Sequence, residues 1–382
     1  MPKSFVRIAY IIVWSLVLVS CSSVATVSDC TNIILKKSDK LGKLDLSDLS
    51  DTYTVFKPET TDESIISNIL RIWRYKSCVY VLDNRNQILV FDESGKYLWK
   101  LNNRGTGPGE YTHLMDFAID QKHDNILLLD YGRIIRYDLT GKYLDFIKSG
   151  DGVEISTDGR YAYMKCFDEE NGKANRYSLK IIDLDTSTVT DALPVTDDWA
   201  PSCSPGFQTL TFSDGRVLFS RKFDSRIYFL YDKNASATYD IDWSTYTFQN
   251  ISGEKYDCSE FFRLCRENEF IYSMGDMILS HSLCLFKTNL NLYGLIYRAD
   301  DTIKLANNLT DTRLFPKSSP PFKSISVNGD TPEIAIVFNS VNSNFFATRC
   351  VDPKIASVLS GMRDEDNPLL LLYTLKNDVK KL

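Results

Sequence analysis

An all-β fold is what this sequence predicts, and three observations predict it. Beyond residue 50 the chain is a series of short alternating or apolar runs separated by turn signals. Prolines are sparse, and a hairpin-like segment recurs at nearly constant spacing. No stretch with helical periodicity exceeds about three turns.

The first twenty residues stand apart from that pattern. Lys3 and Arg7 form a short basic region, and Ile8 to Val19 is an apolar run. Such a run is too short to span a bilayer core, which takes about 20 residues, and it has the build of a signal peptide. It ends in "LVSC", and the cysteine, Cys21, stands where a bacterial lipobox places its lipid-bearing residue. Residues 1–20 therefore read as a lipoprotein signal peptide. Two or more acyl chains would anchor the mature chain stably, at about 0.8 kcal/mol per buried CH₂. Ser22 and Ser23 follow; for such lipoproteins the lack of an aspartate at the second position implies the outer membrane, and the lack of an acidic cluster after the cysteine implies its periplasmic side. Residues 21–50 are polar and read as a lipidated tether, and residues 51–382 as the folded body.

Within the body, "FDESGKYLWKL" (91–101) matches "YDLTGKYLDFI" (137–147), with Asp92/Asp138, Gly95/Gly141 and Lys96/Lys142 identical at an offset of 46. An aspartate that bonds the turn backbone, followed by a glycine in the left-handed region, makes this a hairpin. Weaker copies lie at 177–193, 216–241 and 283–306, and strands for a sixth at 333–340 and 369–376. Units of this length cannot bury themselves singly, so they stack as the blades of a β-propeller, and six is the count. "TYTVFKP" (52–58) alternates but has no hairpin partner; it is expected to close the ring as the outer strand of the sixth blade. "CSEFFRLCREN" (258–268) and "DPKIASVLSGM" (352–362) read as small helices inserted in loops.

With the lipobox cysteine, "TVFKPETTDESIISNILRI" (54–72), "YVLDNRNQILVFDESGKYL" (80–98), "GTGPGEYTHLMDFAID" (105–120) and "DNPLLLLYTLK" (366–376), the chain resembles the six-bladed, NHL-like β-propeller lipoproteins of Bacteroides-type Gram-negative bacteria. The resemblance implies a fold and a compartment. It carries no catalytic residue over to this chain.

Little in the chain looks like chemistry. "RGTGPGEY" (104–111) lacks the Gly-Lys-Ser/Thr of a phosphate loop and stands between two strands, not between a strand and a helix. Gly105, Gly107, Pro108 and Gly109 serve the crossing from the outer strand of one blade to the inner strand of the next. Arg104, Glu110, Tyr111 and His113 are the candidate ligand contacts, expected near the channel mouth; in the alternative, Glu110 and Tyr111 only bond nearby backbone. Three scattered histidines give no zinc motif, and "DLDTSTVTD" (183–191) lacks the glycine and terminal glutamate of a calcium loop. No metal, cofactor or catalytic residue is assigned. Eight cysteines besides Cys21 form no disulfide framework. Once Lys3 and Arg7 leave with the signal peptide, 42 basic residues face 50 acidic ones, a net charge of −8 without a basic run. Nucleic acid is excluded as a partner on that ground. The reading is a non-catalytic binding or scaffold module for a periplasmic protein, peptide or glycan. The alternative is a propeller enzyme of lactonase, lyase or hydrolase type with a divalent metal on its axis.

Overall fold

The structure is a computed structural model that describes residues 30–35, 41–170, 173–195, 206–243, 246, 256–316 and 323–379. The expected signal peptide and Cys21 lie outside the described residues.

Repeated hairpins dictate the architecture. At Asp92 the carboxylate accepts from the N–H groups of Ser94 (2.9 Å) and Lys96 (3.0 Å), while Gly95 takes φ 89°. Asp138 does the same with Thr140 (2.9 Å) and Lys142 (3.0 Å), and Gly141 takes φ 83°. Each such turn joins the third and fourth strands of an antiparallel meander. Six four-stranded meanders are present among the described residues, and their first strands are Ile69–Tyr75, Asp116–Asp120, Glu154–Thr157, Leu210–Ser213, Met274–Leu279 and Ser324–Asn328. These first strands neighbour one another in that order. The sixth meander's first strand also pairs in parallel with the first meander's, through Val327↔Ile72 and Asn328↔Trp73. The fold is all-β and propeller-like.

The outer strand of the sixth meander comes from the other end of the body. Thr52–Phe56 pairs antiparallel with Leu369–Thr374, from Leu370↔Phe56 to Thr374↔Thr52. Apolar residues of every meander are buried between neighbouring sheets, as sheet-on-sheet packing requires.

Two features depart from the sequence reading. The segment taken as tether is not all tether: Thr31–Ile34 adds in parallel to the outer strand Asn234–Asp242, and Gly42–Asp45 to Thr302–Thr310. Ile33, Leu44, Leu46 and Leu49 are buried. Runs of four residues are too short for their alternation to register against a polar background, yet they cover two open sheet edges. The insertion between Glu333–Phe338 and Leu369–Thr374 holds two helices, Ser340–Ala347 and Pro353–Ser360, where the sequence reading placed one. The extra helix starts on a capping box between Asn339 and Asn342, an unusual amide pair that the Ser/Thr–Glu pattern does not find.

Candidate functional site: a cup on the axis

In each meander the first strand turns tightly into the second, through residues 76–77, 121–124, 158–160, 214–215, 280–282 and 329–332. The first strands begin at the opposite end, where the fully described connections 57–68 and 102–115 arrive. A cavity of about 800 Å³ lies at that end. Its wall includes the opening residues of the first strands, among them Ile69, Asp116, Glu154 and Ser324.

Its floor is closed by side chains that cross the axis. Arg71 donates to the Leu210 carbonyl (3.1 Å), and Gln208 donates to the Leu70 carbonyl (2.6 Å), so the first and fourth meanders are tied together. Asn328 donates to the Ile72 carbonyl (3.1 Å) and accepts from the Phe212 N–H (2.7 Å). The free edge of an inner strand leaves backbone N–H and C=O groups without ladder partners, and a buried one must be satisfied otherwise. These side chains meet that requirement and close the axis beneath the cup.

Charge lines the cup in pairs. Arg71 Nε lies 2.7 Å from Asp116 Oδ1, with Arg71 1% and Asp116 4% exposed. Asp116 also accepts from the Ile155 N–H (2.7 Å). Burial pushes the Asp116 carboxyl up to about 7, against the pull of Arg71. Glu154 differs. Burial alone would raise it, but Lys165 (2.8 Å), Arg71 and the Leu210 N–H hold its carboxyl below the ordinary value. Lys222 pairs with Asp168 (2.6 Å), and burial lowers its ammonium pKa. Lys287 pairs with Asp276 (3.1 Å) and donates to the Ser324 carbonyl.

Asp276 is held in an uncommon backbone state. Its φ is 47°, in the middle of the strand Met274–Leu279, where the register with Leu283–Thr288 shifts between Gly275 and Ile278. Side chains enter this left-handed region at a cost on the order of 1 kcal/mol. Gly275 makes the bulge feasible, since a β-carbon there would sit 2.2 Å from the Gln208 carbonyl oxygen. Backbone strain of this kind collects where a side chain has to be aimed. Here it turns a carboxylate into the cup wall.

The crossing 102–115 runs to this end of the molecule, and its glycine-rich half packs between the Arg85–Asn86 turn and the second meander. Arg104 donates to the Arg85 carbonyl. Glu110 accepts from the Gly107 N–H (2.8 Å), and its own carbonyl accepts from Arg133 (3.0 Å). Tyr111 is a core residue: it is buried, and its hydroxyl donates to the Asn86 carbonyl (2.8 Å). Gly109 has φ 71° and lies against the Tyr143 ring, while Gly105 and Gly107 close over the Glu110 carboxylate. None of Arg104, Glu110, Tyr111 and His113 lines the cavity; Met115 and Asp116, at the end of the same crossing, do. The loop packs between the first two meanders, and the cavity takes only the residues that follow it at the start of the second meander. The His113 ring lies 5.1 Å from Tyr131, which stacks at 6.4 Å on Phe167 in the cup wall.

Comparison with known proteins follows the same outline. A family model described as "Domain of unknown function (DUF4934)" matches residues 30–374. The chain belongs to that family. No curated protein matches it. Among solved structures it is similar to a protein of Bacteroides fragilis described as exported, at 15% identity and TM-score 0.67, over 91% of this chain and 100% of that one. It is also similar to a member of the DUF4221 family from Bacteroides vulgatus, at 11% identity and TM-score 0.50, over 86% and 98%. The β-propeller domain of Cps50 (Swd1) from Myceliophteria thermophila aligns at 12% identity and TM-score 0.38, over 72% and 96%. Identities this low bear on the fold alone.

For this DUF4934 chain the cup residues were not singled out from sequence. They lie at the starts of first strands, near the ends of second strands and in loops, scattered from Asn68 to Ile325. Each looks like an ordinary strand-flanking charge. One signal was available: the "MGDMIL" strand (274–279) sets Gly-Asp inside an apolar run, the pattern of a bulge.

Proposed function

We propose that this chain is a non-catalytic binding module whose ligand site is the axial cup. In this reading the six meanders are the blades of a six-bladed propeller, with Thr52–Phe56 as the closing strand. The body is carried at the outer membrane by a lipid on Cys21, facing the periplasm. The observation that carries the proposal is the cavity itself: it lies where the first strands begin, with paired charges in its wall. Ligand sites favour such concave positions with a few convergent polar groups. The cyclic neighbour order of the first strands supports the ring, and the strand Thr52–Phe56 supports its closure. Export accords with the description of the Bacteroides fragilis protein of similar fold. No helix of the described residues is long and apolar enough to cross a membrane.

The test is a melting-temperature screen of the purified body against organic acids, sugars and short peptides. A ligand that binds only the native state must raise the melting temperature, and at least one is expected to do so without being consumed. Cys21→Ser is expected to release the protein from membranes; unchanged fractionation would remove the lipid anchor from the account.

Catalysis is the second reading, and one observation favours it. Asp116 titrates near neutrality beside a guanidinium at the cup floor, a state suited to proton transfer. Among the described residues, no three of His, Cys, Asp and Glu stand together to hold a metal, so the metal-bearing form of this reading has no donor set there. Turnover of any ligand found, lost in Asp116→Asn, would decide for the enzyme.

A further inference from the structure

The charge balance of the cup differs from that of the chain. Overall the protein is acidic, with a formal net charge of −6. In the cup wall, four cations each face a carboxylate: Arg71 with Asp116, Lys165 with Glu154, Lys222 with Asp168 and Lys287 with Asp276. Lys323 is the fifth cation. It is exposed and donates to the Asn68 side-chain carbonyl (3.0 Å), with no carboxylate at ion-pair distance among the described residues. The described wall thus carries one surplus positive charge. Arg71 lies close to Glu154 as well, at 3.8 Å, so its charge is already matched within the wall.

Two further observations narrow the ligand. Leu70 is 42% exposed although it belongs to the cup, and Phe167 and Phe207 are half-buried in the same wall. Inorganic ions have no use for such surface, whereas an organic group gains about 25 cal/mol per Å² of apolar area covered. The floor is closed by Arg71, Gln208 and Asn328, so the site takes a compact molecule and not a threaded chain.

We propose that the cup binds a small organic acid. Its carboxylate sits on the side of Lys323 and Lys287, whose ammonium lies against the Ser324 carbonyl next to Lys323. Its apolar portion covers Leu70, Phe167 and Phe207. The assignment rests on the reading of the cup as the binding site.

Isothermal titration at pH 7 and low salt tests it with three acids, N-acetylphenylalanine, phenylacetate and glucuronate, each against its amide, and with inorganic phosphate alone. At least one acid is expected to bind, with its amide weaker by about tenfold, equivalent to ~1.4 kcal/mol. Lys323→Ala is expected to remove that difference by weakening the acid about tenfold while leaving the amide unchanged. Lys323 is exposed, so the variant should fold, and its melting temperature without ligand checks this. Equal binding of acid and amide, an acid indifferent to Lys323→Ala, or phosphate binding as tightly as any acid would overturn the assignment. So would the absence of any acid binding tighter than ~1 mM. A neutral or cationic ligand displaced by filling the cup, as in Leu70→Trp, would overturn the acid and keep the cup. Ligands that ignore Leu70→Trp would remove the cup itself.

Discussion

At Gly109 a β-carbon would sit 2.7 Å from the Tyr143 side chain, with φ at 71°. Gly109→Ala is therefore expected to destabilise the fold by more than about 1 kcal/mol, measured by urea denaturation, since both space and backbone oppose it. Tyr111→Phe should cost about 1 kcal/mol for one buried hydrogen bond. Asp116 makes a prediction about pH. Its carboxyl is raised from the ordinary 3.8 to about 7, so the folded state holds a proton that the unfolded chain has released between those pH values. That contribution is fully present below about 4 and lost as pH rises through about 7. Asp116→Asn lacks the titration, so its stability relative to the parent should rise between pH 5 and pH 8 in paired urea melts. A relative stability that falls over that range would contradict the burial-dominated state of Asp116.

Strands that cap the sheet edges test the element scale. Ile33 is 2% exposed and its neighbour Ile34 is 68% exposed, as the pairing of Thr31–Ile34 with Asn234–Asp242 requires. Ile33→Ala is expected to cost about 2–4 kcal/mol, whereas Ile34→Ala should stay within about 0.5 kcal/mol; equal effects in urea melts would mean the strand is not held in this register. The same contrast shows what sequence could convey. The hairpin at 137–147 was legible because its aspartate and glycine perform fixed tasks at fixed spacing, and Thr52–Phe56 because it alternates over a full strand. Thr31–Ile34 was not, since four residues carry no period and its partner lies more than two hundred residues away. The glycine crossing was legible as a crossing, but not where it would lie. Its path depends on Tyr137, Tyr143 and Arg133 of the next meander, and sequence spacing does not encode those contacts.

For the whole molecule, the first strands form one neighbour series, and Thr52–Phe56 meets Leu369–Thr374 in one sheet. Removal of residues through Phe56 would strip the outer strand from the sixth meander and the added strands from the fourth and fifth. The expected result is loss of cooperative melting for the entire body, not for one meander, as scanning calorimetry would record. The cup depends on this arrangement, since its floor is built from bonds between the first, fourth and sixth meanders. The crossing loop between the first two meanders and the cup are two candidate sites. The melting-temperature shift given by saturating N-acetylphenylalanine separates them most directly when measured in the parent, in Leu70→Trp and in the double variant Arg104→Ala/His113→Ala. The expected shift disappears in Leu70→Trp and persists in the double variant. A shift that persists in Leu70→Trp and disappears when Arg104 and His113 are changed would contradict it.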